Sequence, residues 1–260
     1  MKKSKHKLIL LYLFIFYLTI SIIVNFQNEF FTYFYKEKIW VHRVNSIEKL
    51  KETNSKFNGI ELDVVFNTKT NVFDVNHPPA KSINLSLYKY LSSIKLNSNN
   101  LFWIDFKNLS TSNKINACLK LEKLCFELKL KKKQLIIESS NPQALDVFYS
   151  KGYQTSFYLP ANLVSLNTQK LEEEIKSIQN IISENKTTYL STDKRDYHII
   201  KKYFPEHKLL IWSFYYFNKK TINPYHLLHG LNYIYYKLNI LPDNNVYVTL
   251  FKYEGKAGNR

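Results

Sequence analysis

Three short runs decide the fold: IWVHRVNS at 39–46, GIELDVVFN with DVNHPP inside 59–79, and LFWIDFKN at 101–108. Each opens as an apolar β-strand and closes on polar residues that a buried strand rarely tolerates. His42 and Arg43 close the first. Glu61 and Asp63 stand two apart on the second, so strand alternation sends both carboxylates to one face. Asp105 and Lys107 repeat that spacing on the third. His77 follows from the segment after the second strand, ahead of Pro78 and Pro79.

Working outward, strand-like and helix-like runs alternate to the end of the chain. Further strands are expected at 134–140, 153–160, 187–193, 208–216 and 245–253, with a short extended piece at 72–77. Helices are expected at 46–57, with Asn45 or Ser46 as N-cap, at 86–96, and at 113–130, capped by Thr111 or Ser112. Others are expected at 141–152, 168–186, 195–204 and 223–238. Eight strands alternating with helices predict an α/β domain, a (β/α)8 TIM barrel over 38–254 with a tail at 255–260. An open doubly wound sheet is the alternative. No Gly-rich loop follows the first strand, and five glycines in 260 residues speak against a dinucleotide fold. The polar residues fall at strand C-termini, where barrel enzymes place their sites.

Hydrophobic residues make up 45% of the chain and aromatics 16%, enough for a core rich in Phe and Tyr. The net charge of +16 comes almost wholly from lysine, since arginine occurs only at 43, 195 and 260. Such a bias towards Lys, Asn, Ile, Tyr and Phe reflects AT-rich coding, so no nucleic-acid partner is expected. Cys118 and Cys125 lie two helical turns apart, about 10 Å along the axis, too far for a disulfide.

Residues 1–7 (MKKSKHK) are basic, and 8–24 (LILLYLFIFYLTISIIV) form an uncharged apolar run. Its length is near the lower limit for a membrane span. No small-residue cleavage pattern follows, which favours a transmembrane signal anchor over a cleaved signal peptide. The lysines at 2, 3, 5 and 7 place the N-terminus in the cytoplasm, making a single-pass membrane protein with its folded domain outside. Residues 25–37 read as a juxtamembrane linker with an aromatic belt.

Carboxylates within strands can simply pair with lysines. The joint occurrence of Glu61, Asp63 and Asp105 at equivalent ends of adjacent strands, flanked by His42 and His77, is the stronger signal. Three oxygen ligands suit a hard divalent cation, Mg²⁺ or Ca²⁺, better than zinc. The two histidines suit a general acid and a general base, and Arg43 and Lys107 suit a phosphate. Together these groups predict metal-assisted phosphodiester cleavage. Asn45, Glu138, Ser140 and Trp212 are further candidates for the pocket.

These residues resemble the PLC-like phosphodiesterase superfamily. HR at 42–43, ELDV at 61–64, His77 and an acid-x-Lys at 105–107 look like glycerophosphodiester phosphodiesterases. The resemblance implies acid and base roles for His42 and His77, metal binding by Glu61, Asp63 and Asp105, and phosphate contacts by Arg43 and Lys107. The chain departs from that pattern in having Val44 for Gly, Pro78 for Asp and Asp105 for Glu. H-x-V-N-S at 42–46, IELDV at 60–64, HPPA at 77–80, LSLYKYL at 85–91 and IDFK at 104–107 bring it closer to the menorin family, a branch of the same superfamily. The short segment after Glu61 leaves no space for a substrate-covering insertion. The expectation is a membrane-anchored phosphodiesterase acting on a glycerophosphodiester or phospholipid head group. The alternative is a non-catalytic ligand- or partner-binding barrel of the menorin type.

Overall fold

The computed structural model describes residues 2–97, 99–217 and 223–255, so tail residues 256–260 lie outside it. After a long helix, α1 (Lys2–Tyr35), the chain runs β1 (Ile39–Val41), α2 (Ile47–Thr53), β2 (Gly59–Asn67) and β3 (Val72–Val75). Next come α3 (Leu87–Leu91), β4 (Leu101–Phe106), α4 (Lys114–Glu127), β5 (Leu135–Ser139), α5 (Asp146–Ser150) and β6 (Gln154–Tyr158). It ends with α6 (Thr168–Glu184), β7 (Tyr189–Asp193), α7 (Tyr197–Tyr203), β8 (Lys208–Tyr216), α8 (Pro224–Ile240) and β9 (Val246–Lys252).

Neighbouring strands run β1-β9-β8-β7-β6-β5-β4-β2, all parallel, and a β1–β2 pairing closes the ring. The eight expected strands therefore form a TIM barrel, and the open-sheet alternative is excluded. The extended piece after β2 is β3, which folds back antiparallel on the outer half of β2, with Val75 opposite Val64.

Alternation sorts each strand into an outward apolar face and an inward face. Ile60, Leu62 and Val64 of β2 pack outward with Leu50, Leu87, Leu121 and Leu124. Inside, Trp40, Trp103, Ile136, Leu210, Trp212, Val248 and Leu250 fill the barrel. Gly59 opens β2 because nothing larger fits there: a Cβ would lie 2.3 Å from the Trp40 indole. That ring is 1% exposed and has no free space to move into. Gly59→Ala is expected to cost about 1–3 kcal/mol through overpacking, read as a lower urea midpoint with an unchanged slope.

Several helices are shorter than periodicity predicts. The expected 86–96 helix stops at Leu91, and the expected 141–152 helix is a 3₁₀ turn (Pro142–Ala144) followed by α5. Ser46 caps α2, accepting from the Lys49 N–H. Neither Thr111 nor Ser112 caps α4. Asn113 stands at its N-cap without a capping hydrogen bond, its Oδ1 accepting instead from the Ser110 N–H at 2.9 Å.

The expected linker at 25–37 is mostly helix, because α1 continues unbroken to Tyr35. Its first part is apolar and long enough to cross a membrane. Its last part packs on the barrel: Phe31 joins Ile39, Tyr233 and Phe251, and Val24 sits against Gly230 of α8. Beneath it lies Lys237, fully buried, its Nζ 4.1 Å from the Tyr233 ring centroid and bonded to Asn28 Oδ1. Burial pushes this ammonium down from 10.5 to about 7, with Glu29 opposing weakly. The unfolded chain binds this proton more tightly, so the barrel gains stability as pH rises from about 7 towards 10.5. Lys237→Met is expected to raise stability by about 1–4 kcal/mol at pH 6 and by less at pH 9. Thermal melts of the detergent-solubilised chain at the two pH values check this.

Candidate active site

The inward residues at the C-terminal ends of the strands are polar. Asp63 on β2, Asp105 on β4, Glu138 on β5 and Ser156 on β6 stand in register around the ring. Glu61 lies one inward step below Asp63. Oxygens of Glu61, Asp63 and Asp105 all lie within 4.8 Å of one another. Burial first, and then Asp63 and Asp105, hold the Glu61 carboxyl well above its usual range. Burial likewise pushes Asp105 up to about 6 and Glu138 up to about 8. Ser156 Oγ donates to Glu138 Oε2 at 2.9 Å.

The β1–α2 connection wraps over these acids. Arg43 adopts φ 54°, an uncommon conformation for a residue with a side chain, and this turns its N–H onto Glu61 Oε2 at 2.6 Å. His42 Nε2 lies 3.7 Å from the same oxygen. Burial and the nearby Arg43, Lys252, Lys107 and Lys49 charges depress His42 well below its ordinary value, so its ring is neutral. Asn45 clamps Asp63 twice, donating from Nδ2 to Oδ2 at 2.6 Å and accepting the Asp63 N–H at 2.9 Å. It supports a carboxylate besides facing the groove.

β3 explains His77. By folding back on β2 it brings Asn76 N to within 3.1 Å of the Asp63 carbonyl, so the next residue hangs over the acids. His77 Nε2 lies 4.0 Å from Asp63 Oδ1 and 2.8 Å from Arg43 Nη2. Burial lowers its pKa, with Asp63 opposing. Lys107 lies between two acids, 2.8 Å from Asp63 Oδ1 and in contact with Asp105 Oδ2. Burial opposes its charge, but Asp105, Asp63 and Glu61 raise its pKa above the ordinary lysine value.

His42, Arg43, Glu61, His77, Asp105, Lys107, Glu138 and Trp212 all line one cavity of about 120 Å³. A groove of about 470 Å³ adjoins it, sharing Arg43 and His77 and continuing along Asn45, Val75 and residues 80–83. Ser140 is exposed beyond the end of β5 and lines neither space. Trp103, Tyr158, Phe214 and Leu250 complete the cavity wall without having been expected there. Tyr158 stacks on Trp212, ring centroids 5.7 Å apart and planes 9° from parallel. Two supports were also unforeseen: Lys49 Nζ donates to the Arg43 carbonyl at 2.9 Å, and Tyr90 Oη donates to the Val44 carbonyl at 2.5 Å.

Compared with solved structures, the chain is similar to a glycerophosphodiester phosphodiesterase from Parabacteroides distasonis, at 17% identity and TM-score 0.50 over 83% of this chain and 92% of that one. It is similar to another from Thermotoga maritima, at 13% identity and TM-score 0.51 over 82% and 93%. The fold is that of the glycerophosphodiester phosphodiesterases. A phosphodiesterase from Oleispira antarctica, solved with its product sn-glycerol-3-phosphate, shares this glycerophosphodiester phosphodiesterase fold at 10% identity and TM-score 0.50 over 83% and 92%. No protein-family model matches the chain, and no curated protein matches it.

The donor set fits a divalent cation. Glu61, Asp63, Asp105 and Glu138 crowd four carboxyl groups against the two cationic side chains that line the cavity, Arg43 and Lys107. Burial raises the Glu61 and Asp105 carboxyls above their usual range, and the neighbouring carboxylates add to the rise. Oxygen-only donors select a hard ion.

Proposed function

We propose that this protein is a membrane-anchored, divalent-cation-dependent phosphodiesterase that cleaves a glycerophosphodiester or a phospholipid head group. The observation that carries the reading is the group of Glu61, Asp63 and Asp105, set between His42 and His77 at the C-terminal rim of a glycerophosphodiester phosphodiesterase fold. Glu61, Asp63 and Asp105 would hold Mg²⁺ or Ca²⁺, which would supply Lewis-acid stabilisation of the phosphate's charge. Arg43 and Lys107 supply the fixed positive charge that orients the diester. His42, buried and neutral, takes the proton of the attacking hydroxyl through Nε2. His77 sits where the cavity meets the groove and gives a proton to the departing alcohol, against a burial that lowers its pKa and with Asp63 opposing that fall. The groove beyond it receives that alcohol. Asn45, Lys49 and Tyr90 hold the β1–α2 turn so that Arg43 keeps its orientation.

The test is hydrolysis of a panel of glycerophosphodiesters and lysophospholipids with Mg²⁺, Ca²⁺, Mn²⁺ or chelator, beside a His42→Ala control. Metal-dependent product that is lost in the control supports the reading. A folded protein that binds the cation yet releases no product from any diester would instead be a ligand-binding barrel of the menorin type.

A further inference from the structure

α1 and α8 lie side by side and run in the same direction. Val24 meets Gly230, Phe31 packs with Tyr233, and Lys38 Nζ donates to the carbonyls of Leu241 and Asp243 at 2.9 and 2.7 Å. A side chain at Gly230 would strike Val24 at 2.3 Å, so the two helices touch backbone to side chain there. Asn28 marks the height of the barrel rim. Its Nδ2 donates to the Phe217 carbonyl, and the Phe217 N–H bonds the carbonyl of Lys252, the last residue of β9, at 2.7 Å. From Asn28 to Ile39, where β1 begins at the opposite end, a helix rises about 16 Å. That is roughly the height of a five-residue strand. Everything before Asn28 therefore stands beyond the C-terminal rim, the same rim on which His42, Arg43, Glu61 and His77 open.

The projecting part is the apolar part. No charge occurs between Lys7 and Glu29, and Leu8, Leu10, Leu13, Phe16 and Ile22 are among its exposed side chains. Residues 8–24 span about 25 Å, close to the hydrocarbon thickness of a bilayer. Val24, where that run ends, is about 6 Å along the axis from Asn28. The polar layer on each side of a bilayer is about 5–7 Å deep. With the apolar run in hydrocarbon, the rim meets the outer edge of the head groups. α1 has neither Gly nor Pro between Lys2 and Tyr35, so it offers no hinge at which the barrel would tip away. The rim itself suits such a layer, with Ile83 and Phe214 about half exposed, Lys81 beside the first and Lys252 Nζ 4.9 Å from the ring of the second.

We propose that α1 fixes the mouth of the site against the bilayer it enters, so that the diester is taken from the head-group layer rather than from bulk water. This rests on the phosphodiesterase reading given above. The full chain is reconstituted into phosphatidylcholine vesicles containing a lipid with a spin label on its head group. A fluorophore is attached through Ser82→Cys, on the groove, or through Lys133→Cys, beside the start of β5 on the opposite face. Cys118 and Cys125 are buried and do not compete for it. Quenching at position 82 is expected to exceed that at 133 several-fold. With the unlabelled, unsubstituted chain in vesicles of the same lipid, a lysophospholipid is expected to be cleaved at least tenfold faster than the water-soluble glycerophosphodiester with the same head group. Quenching at 133 equal to or above that at 82 overturns the proposal, as does faster cleavage of the soluble diester. Quenching confined to 82 with neither diester cleaved upholds the orientation and removes the phosphodiesterase reading instead.

Discussion

His77→Ala is expected to lower phosphodiester turnover by about 10²–10⁴-fold while leaving divalent-cation affinity within about a factor of two. The asymmetry follows from position. His77 Nε2 is 4.0 Å from Asp63 and belongs to the rim, whereas the three clustered carboxylates come from β2 and β4 inside the barrel. His77 is also partly exposed, so removing its ring leaves no large sealed void. Arg43 Nη2 loses a 2.8 Å partner but can reach water from the groove. Calorimetric titration with Mg²⁺ and Ca²⁺, set beside steady-state rates, separates the two effects. Equal loss of cation affinity and turnover would show that His77 supports the carboxylates rather than moving a proton.

Asp63→Asn is expected to lower cation affinity and turnover together. Cation affinity falls by at least a hundredfold, and turnover falls with it by several kcal/mol of barrel-bound charge stabilisation, about 10³-fold or more. Asp63 is the residue on which the local contacts converge, accepting from Asn45 Nδ2 and pairing with Lys107 Nζ at 2.8 Å. The amide keeps the size of the carboxylate but removes the charge, and one of its groups becomes a donor facing donors. Lys107 retains Asp105, so the fold is expected to survive, as circular dichroism and an unchanged urea slope would show. Substantial cation-dependent turnover in this variant would sink the assignment of the metal ligands.

The strands from 39 to 107 were legible because one alternation sorted both their apolar and their acidic residues. Alternation placed Ile60, Leu62 and Val64 on one face and Glu61 and Asp63 on the other, and β2 has that arrangement, with its outward residues in the shell and its acids inside. Ser140 shows where alternation stops working. It shares parity with Glu138, but β5 ends at Ser139, and past a strand end parity no longer determines which way a side chain faces. His77 needed a fact of tertiary structure, the return of β3 along β2, to come within reach of Asp63. Lys49 and Tyr90 gave no local signal, since a lysine and a tyrosine on short helices look like surface residues. The carbonyls of the turn at Arg43 and Val44 take the polar tips of both, while the Tyr90 ring packs in the outer core. Tyr158 and Trp103 were hidden for the opposite reason: aromatics in strands read as core, and these belong to both the core and the cavity, whereas Phe214 lines the cavity from the half-exposed rim.

The three tryptophans of the chain, Trp40, Trp103 and Trp212, are packed together inside the barrel, and none lies on α1. Trp103 and Trp212 also form part of the cavity wall, and the indole N–H of each has no partner among the described residues. The tryptophan emission of this protein is thus a label-free optical signal from the inside of the barrel, with no contribution from α1. A shift in its wavelength on adding cation or diester would report occupancy of the cavity. Its collapse on heating would report the barrel alone, whether α1 is in detergent, in lipid or removed.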